Sequence, residues 1–273
     1  MQRKRQSEGM KDDFDIIVHK FPRKDIRIFG VYDVHLGAKE HLHKAFMDFR
    51  DAILRDPDAM VILGGDLINN AIKTSVSNCY EETMRPRDQK RLMTEILQPL
   101  VDDNRILACV SGNHERRNKD VDDDPTYDIC AKLDIEDLYR QNMAFVKLQF
   151  GDQSATGTKN PTYRILVHHG AGGGILTGGS VNRAERFAYT LDGVDLLMVG
   201  HTHTMFATAP KKIVFDGHNN RVSMKPMKVA SIGSWLEFGG YAGTKMLLPR
   251  STAADVPQMV VLHGDRKWCE VRM

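Results

Sequence analysis

The sequence has little of what would assign a protein at a glance. Among 273 residues only four are cysteine (Cys79, Cys109, Cys130 and Cys269), and no two of them form a CxxC pair. That spacing argues against a disulfide framework and against a thiolate zinc site. No apolar run approaches the roughly 20 residues that span a bilayer, so no membrane association is expected. No apolar segment follows the opening Met-Gln-Arg-Lys-Arg-Gln, so no secretion signal is read and the expected compartment is the reducing cytoplasm. Net charge is only +2, too small for bulk electrostatics to mark a nucleic-acid binder. Internal repeats, low-complexity tracts and an obvious linker are all missing.

What is present is an ordinary globular composition, 41% hydrophobic and 27% charged. Residues 1–24 are charged and without a clear period, and read as an arm or an outer strand. Residues 25–273 are then expected to form a single domain. Ile26–Tyr32 reads as a strand that ends at Asp33. Leu42, Ala45, Phe46, Phe49, Ala52 and Ile53 share one helical face, and Pro57 stops the run. Met60–Leu63 is a short buried strand ending in Gly64-Gly65-Asp66. Leu92, Met93, Ile96, Leu97 and Leu100 predict a second helix. Ile106–Val110 is a third strand, ending in Ser111-Gly-Asn-His-Glu115. Tyr163–Val167 leads into His168-His169-Gly170, and Asp195–Val199 into Gly200-His201-Thr-His203. Lys228–Ile232 and Met259–His263 read as strands of a closing sheet. Strands alternating with helices predict an α/β fold with a mostly parallel sheet, whose active site lies beyond the carboxyl ends of the strands.

Each of those ends delivers carboxylate, amide or imidazole ligands, a mix that suits manganese, iron or zinc rather than a thiolate-seeking metal. In Asp33-x-His35 and His201-x-His203, two side chains can reach one small volume only where the backbone turns at a strand end. A phosphate ester is anionic, and hydroxide attack adds charge. Two cations about 3.5–4 Å apart lower the pKa of a bridging water and clamp phosphoryl oxygens. Such a pair needs one bridging ligand and about three more on each side. Asp33, His35, Asp66, Asn113, one histidine of the 168–169 pair, His201 and His203 supply that number, with Asp66 the natural bridge.

The ordered set Asp-x-His, Gly-Asp, Gly-Asn-His-Glu, His and Gly-His-x-His resembles the signature of the calcineurin-like metallophosphoesterases, from about residue 26 to 205. The resemblance implies a four-layer αββα sandwich, two mixed sheets flanked by helices. It implies one metal on Asp33, His35, Asp66 and His203 and a second on Asp66, Asn113, His168 and His201. His168 is preferred to His169 because the ligand in the family often stands one residue before a small or proline position. His114 is implied as the catalytic group at the phosphate, a proton donor or charge stabiliser, with Asn113 and His169 also on the substrate side, and Arg116 and Arg117, directly after Gly-Asn-His-Glu, are placed by the motif to contact a substrate phosphate. The implied reaction is metal-dependent hydrolysis of a phosphate ester by a metal-bridging hydroxide. Manganese is the first choice of metal, with iron, zinc or nickel as alternatives.

The segment Gly65-Asp-Leu-Ile-Asn-Asn70 lacks the Asp-Arg-Gly continuation of the protein Ser/Thr phosphatases of this superfamily. The expected substrate is therefore a phosphodiester, a nucleotide or nucleic acid, with a nuclease acting on DNA ends as the alternative. A non-catalytic scaffold on the same fold is the other alternative; scaffold members have lost ligands, and here none is missing. Several other residues have plainer readings. His41 and His43 are expected on the surface, and His19, His218 and His263 outside the site. Asp120–Asp124 is a solvated turn. Gly170–Gly174 is a loop beside the metals rather than a dinucleotide fingerprint. Arg85, Arg87, Lys90 and Arg91 are either a polyanion grip or a charged helix entrance.

Overall fold

The computed structural model describes residues 13–73, 75, 79–117, 123–154, 160–173 and 176–273. Two six-stranded sheets dominate them. In chain order the strands and helices are β1 (Ile17–Phe21), β2 (Ile26–Val31), α1 (His43–Arg55), β3 (Ala59–Leu63), α2 (Pro86–Asp102), β4 (Ile106–Val110), α3 (Pro125–Lys132), β5 (Tyr139–Arg140), β6 (Met143–Phe150), β7 (Thr162–His168), α4 (Thr177–Thr190), β8 (Leu196–Val199), β9 (Phe206–Thr208), β10 (Lys211–Asp216), β11 (Arg221–Pro226), β12 (Lys228–Ser231), α5 (Gly240–Thr244), β13 (Met259–Leu262) and β14 (Cys269–Arg272).

The first sheet runs β14-β13-β2-β3-β4-β5 and the second β1-β6-β7-β8-β12-β9. Both are mixed. The β2-β3-β4-β5 and β7-β8-β12 stretches are parallel, and the remaining neighbours are antiparallel except for the parallel pair β1-β6. The two strands expected to close one sheet separate. Lys228–Ser231 lies in the second sheet and Met259–Leu262 in the first, because each pairs with the parallel segment nearest to it.

Alternation along the strands sorts the side chains into layers. Ile26, Ile28 and Tyr32 of the first sheet pack with Tyr163, Ile165 and Val167 of the second in one core between the sheets. On its other face the first sheet packs against α1, α2 and α3 through Phe46, Ile53, Met93, Ile96, Leu97, Leu100 and Ile129. The second sheet packs its outer face against α4 through Leu166, Leu197, Val229, Ala184 and Ala188. The order is helices, sheet, sheet, helix: the αββα sandwich.

The helices form for local reasons as well. In α2, Met93, Ile96, Leu97 and Leu100 repeat at helical spacing and are buried, and Pro86 begins the helix where its missing N–H costs nothing. Asp124 caps α3, accepting from the N–H groups of Thr126 and Tyr127 at 3.1 Å each. Asp124 is thus a helix cap that also binds Ser111 and Tyr139, while residues 120–122 of the same acidic run lie outside the described residues. Among the described residues no helix is long and apolar enough to cross a membrane.

Candidate metal centre

The motif turns meet at the carboxyl ends of the parallel strands. β2 delivers Asp33 and His35, β3 delivers Asp66, and β4 delivers Asn113 and His114, all from the first sheet. Opposite them, β7 and β8 of the second sheet deliver His169, His201 and His203. The glycines of the motifs let these turns approach. A Cβ at Gly65 would lie 2.4 Å from the Gly112 nitrogen, and one at Gly112 would lie 2.0 Å from Asp66 Oδ1.

Three overlapping clusters of ligand atoms result: Asp33, His35 and His203; His35, Asp66 and His114; and Asp66, His169 and His201. Asp33 Oδ1 lies 3.6 Å from His203 Nε2 and 3.9 Å from His35 Nε2, and those two imidazole nitrogens are 3.3 Å apart. Asp66 Oδ2 lies 3.4 Å from His169 Nε2, 3.7 Å from His35 Nε2 and 3.8 Å from His114 Nε2, which puts Asp66 between the clusters. Asn113 Oδ1 lies 3.0 Å from His169 Nε2 and 2.6 Å from His201 Nδ1. The second oxygen of each aspartate is tied down by backbone: Asp33 Oδ2 accepts from His201 N–H at 2.8 Å, and Asp66 Oδ1 from His114 N–H at 2.8 Å.

The donor set fits a cation. Asp33 Oδ1 and His35 Nδ1 are buried without a hydrogen-bond partner. A carboxylate oxygen ringed by imidazole nitrogens and lacking a donor is a costly arrangement that a positive ion would complete. The protein's own charges lean the same way. Burial disfavours ionisation of Asp66, yet His169, His114 and His35 hold it well below the usual carboxylate range. Burial opposes a charge on His169, but Asp66 and Asp33 outweigh it and push its pKa up to about 10.

Strand alternation brings His169, and not the expected His168, into the cluster. Tyr163, Ile165 and Val167 face the space between the sheets, so His169 faces it too, at the cluster. His168 falls on the other face with Leu166, its ring 5.7 Å from that of Phe187 on α4. Of the two arginines expected at the phosphate, Arg116 is engaged with backbone. Its guanidinium donates to the carbonyls of Ser111 and Gln141 at 3.1 and 2.9 Å. Arg117 is the arginine at the site. It donates to Asn69 O and to His114 Nε2, each at 2.9 Å, while His114 Nδ1 bonds to Asn69 O at 2.8 Å.

Sequence reasoning passed over other supports. Glu115 is almost wholly buried and accepts from the N–H groups of Asp66, Leu67, Ile68 and Gly112 at 2.7–3.2 Å. One carboxylate thereby joins the Gly65-Asp66 turn to the Gly112-Asn113 turn. Its place inside Gly-Asn-His-Glu was the available signal. Expected on the surface, His41 instead sits half-buried under the Asp33–His35 turn, with Nδ1 on Val34 O at 2.8 Å. Of the basic residues on α2, Lys90 pairs with Asp128 and Asp123, and Arg91 lies near Asp88 and Glu95, as a charged helix entrance would. Gly174, at the end of the glycine run, lies outside the described residues.

Residues 26–205 match the family model of the calcineurin-like phosphoesterases. No curated protein matches the chain. One similar solved structure is a conserved uncharacterized protein from Streptococcus pneumoniae TIGR4, described as a predicted phosphoesterase. The identity is 12% and the TM-score 0.36, over 90% of this chain and 87% of that one. The family match takes in the turns after β2, β3, β4, β7 and β8, which carry the cluster, and the chain belongs to the calcineurin-like phosphoesterases.

Proposed function

We propose that the chain hydrolyses phosphodiesters with a pair of divalent metal ions, and that residues 25–273 form the one domain that does so. The observation that carries this is the buried, partnerless Asp33 Oδ1 and the Asp66 Oδ2 lying between His35 and His169, within one nest of imidazoles. In this reading Asp33, His35, Asp66 and His203 hold one ion, and Asp66, Asn113, His169 and His201 the other. When bound, such a pair supplies Lewis-acid activation of water and charge neutralisation at the phosphoryl group.

The chain's own residues do the rest. Backbone N–H groups fix one oxygen of each aspartate, so the other is aimed without reorganisation. Arg117 donates to the His114 nitrogen that a metal would otherwise take, which keeps His114 for the substrate. With Nδ1–H given to Asn69 O and Nε2 accepting from Arg117, the His114 ring is neutral, and Arg117 supplies the positive charge on this side of the aspartates, where a phosphoryl group would sit. Arg117 is also held by Asn69 O, so it is a positioning group more than a free phosphate clamp. A monoester brings a second negative charge that wants such a free clamp, and a diester does not.

Purified protein supplied with manganese is expected to hydrolyse bis-nitrophenyl phosphate with a higher kcat/KM than nitrophenyl phosphate. A clear preference for the monoester at neutral pH would overturn the diesterase reading. Absence of both activities with manganese, iron, zinc and nickel would overturn the enzyme reading.

A further inference from the structure

A cavity of about 240 Å³ lies beside the cluster, between the carboxyl ends of β7, β8 and β12 and the inner face of α4. It shares a wall with the metal turns. Gly200 and Thr202, which line it, flank His201, and His168, which also lines it, precedes His169. Its apolar walls are Ala184, Phe187, Val199 and Phe206.

Besides the half-buried Thr202, two buried hydroxyls interrupt that apolar lining. Ser180 is on the α4 stripe that carries Ala184 and Ala188, and Ser231 is on the β12 face that carries Val229. Both line the cavity, are 7% and 0% exposed, and have no hydrogen-bond partner. Arg183 stands at the rim. A Cβ at Gly172 would lie 2.1 Å from its Cζ, so only a bare residue there lets the guanidinium rest against the loop after β7.

A single water needs roughly 10–15 Å³ of such space, so this volume has room for a group much larger than one water. It is also smaller than the roughly 300–1,000 Å³ of sites for whole drug-sized ligands, so it suits one ring rather than an entire nucleotide. A plain hydrocarbon ring would leave both hydroxyls unpaired, which is costly when they are buried. A sugar would put its hydroxyls against the apolar walls. A flat heteroaromatic ring with a polar edge satisfies both surfaces: its face lies on Phe187, and its edge meets two hydroxyls that donate or accept and a guanidinium that donates.

We propose that this cavity seats one nucleobase of the substrate, so that the ester cleaved at the neighbouring cluster is a nucleotidyl one. The inference rests on the phosphoesterase reading for its catalytic meaning, but the cavity can be tested without it.

The full chain, both manganese-loaded and chelator-treated, is titrated calorimetrically with thymidine and adenosine, which carry no phosphate. Wild type is expected to bind at least one nucleoside saturably in both states. Ser180→Ala is expected to weaken binding about 3- to 10-fold, as for one lost hydrogen bond, without lowering Tm, because its hydroxyl has no partner in the protein. Ala184→Phe, which fills the space, is expected to abolish binding. If that variant does not fold, Ser180→Ala decides alone. No saturable binding by wild type, or binding by the folded variants equal to wild type, overturns the proposal. The same wild-type preparation assayed on bis-nitrophenyl phosphate separates the two readings: hydrolysis without nucleoside binding removes the base site only, and nucleoside binding without hydrolysis removes the phosphoesterase only.

Discussion

Asp33, His35, Asp66, His201 and His203 all have positive φ, between 48° and 70°. This left-handed region is uncommon for residues with a Cβ, and each instance costs on the order of 1–3 kcal/mol. The strain answers a question the sequence poses. In Asp-x-His and His-x-His an extended backbone would throw both side chains to one face at about 7 Å spacing; the left-handed kinks turn them into one nest. The motifs were therefore legible as chemistry, while the particular histidine of a pair was not. Motif spacing selects His168, and only the alternation of Tyr163, Ile165 and Val167 points to His169. His169→Ala is accordingly expected to lose one of two metals by elemental analysis, and His168→Ala to keep both; the reverse pattern would restore His168 as a ligand. Asp66→Ala is expected to lose both ions. His114→Ala is expected to keep its metals and to lose about 10²–10⁴ in rate, measured with bis-nitrophenyl phosphate. Each Glu115 oxygen accepts from two backbone N–H groups, so Glu115→Gln places an amide N–H₂ against two of the four donors and is expected to cost about 1–3 kcal/mol in urea unfolding.

At the scale of elements, the strands that end in motifs were readable because each is a short apolar run followed by a ligand. Others were missed for definite reasons. β6 alternates buried and half-buried residues over Met143–Phe150, a period-2 signal with no motif after it. α4 opens Thr-Gly-Gly and carries an apolar stripe made mostly of alanine, so its helical period is faint. The β10–β11 ribbon pairs with neither sheet and leaves the second sheet at Thr208 and Lys228, the end opposite His201. Its Ile213, Phe215, Val222 and Met224 are exposed, so their alternation does not mark a core. Replacing these four with threonine is expected to change stability by no more than about 0.5 kcal/mol each. Phe46→Ala under Trp235 should cost about 3–5 kcal/mol, and chemical unfolding compares the two.

The entry to α1 carries a pH dependence. Burial lowers His41 from 6.5 to about 4, so the fold prefers its neutral ring. Its contribution is complete above pH 6.5 and is lost as pH falls through about 4, because the unfolded chain takes the proton first. His41→Asn keeps a donor for Val34 O but does not titrate. In chelator-treated protein, the stability difference between wild type and His41→Asn should shift by on the order of 2 kcal/mol between pH 7 and 4, and a constant difference would contradict the buried neutral ring.

Over the whole molecule, the cluster is one place where the two sheets meet through polar groups, as they also do at Tyr163 with the carbonyls of His263 and Trp268 and at His19 with Leu107 O. Three of its turns come from the first sheet, after β2, β3 and β4, and two from the second, after β7 and β8. Neither sheet alone carries a full ligand set. Asp33 and His35 need His203 from across the interface, and Asp66 and Asn113 need His169 and His201. Beneath them the sheets are held by the apolar core of Ile28, Tyr32, Ile165 and Val167, which contains none of the ligand side chains. Metal removal should therefore leave the sandwich folded and make it less stable as a unit. Ions that bind only the folded chain stabilise it by RT ln(1 + [L]/Kd), about 2.7 kcal/mol at 100 times Kd for one site. For a chain of this size that corresponds to a Tm rise of roughly 5–10 °C. Scanning calorimetry of chelator-treated protein, with and without added manganese, is expected to show one transition that moves upward by that amount. The shift should be smaller for His203→Ala, which unties the second sheet from one ion, and for His169→Ala, which leaves His201 as the second sheet's one ligand to the other, and smallest for Asp66→Ala. A second transition that appears or disappears with metal would mean that the ions order a local segment and do not fasten the two sheets together. A shift unchanged in all three variants would place the ions elsewhere.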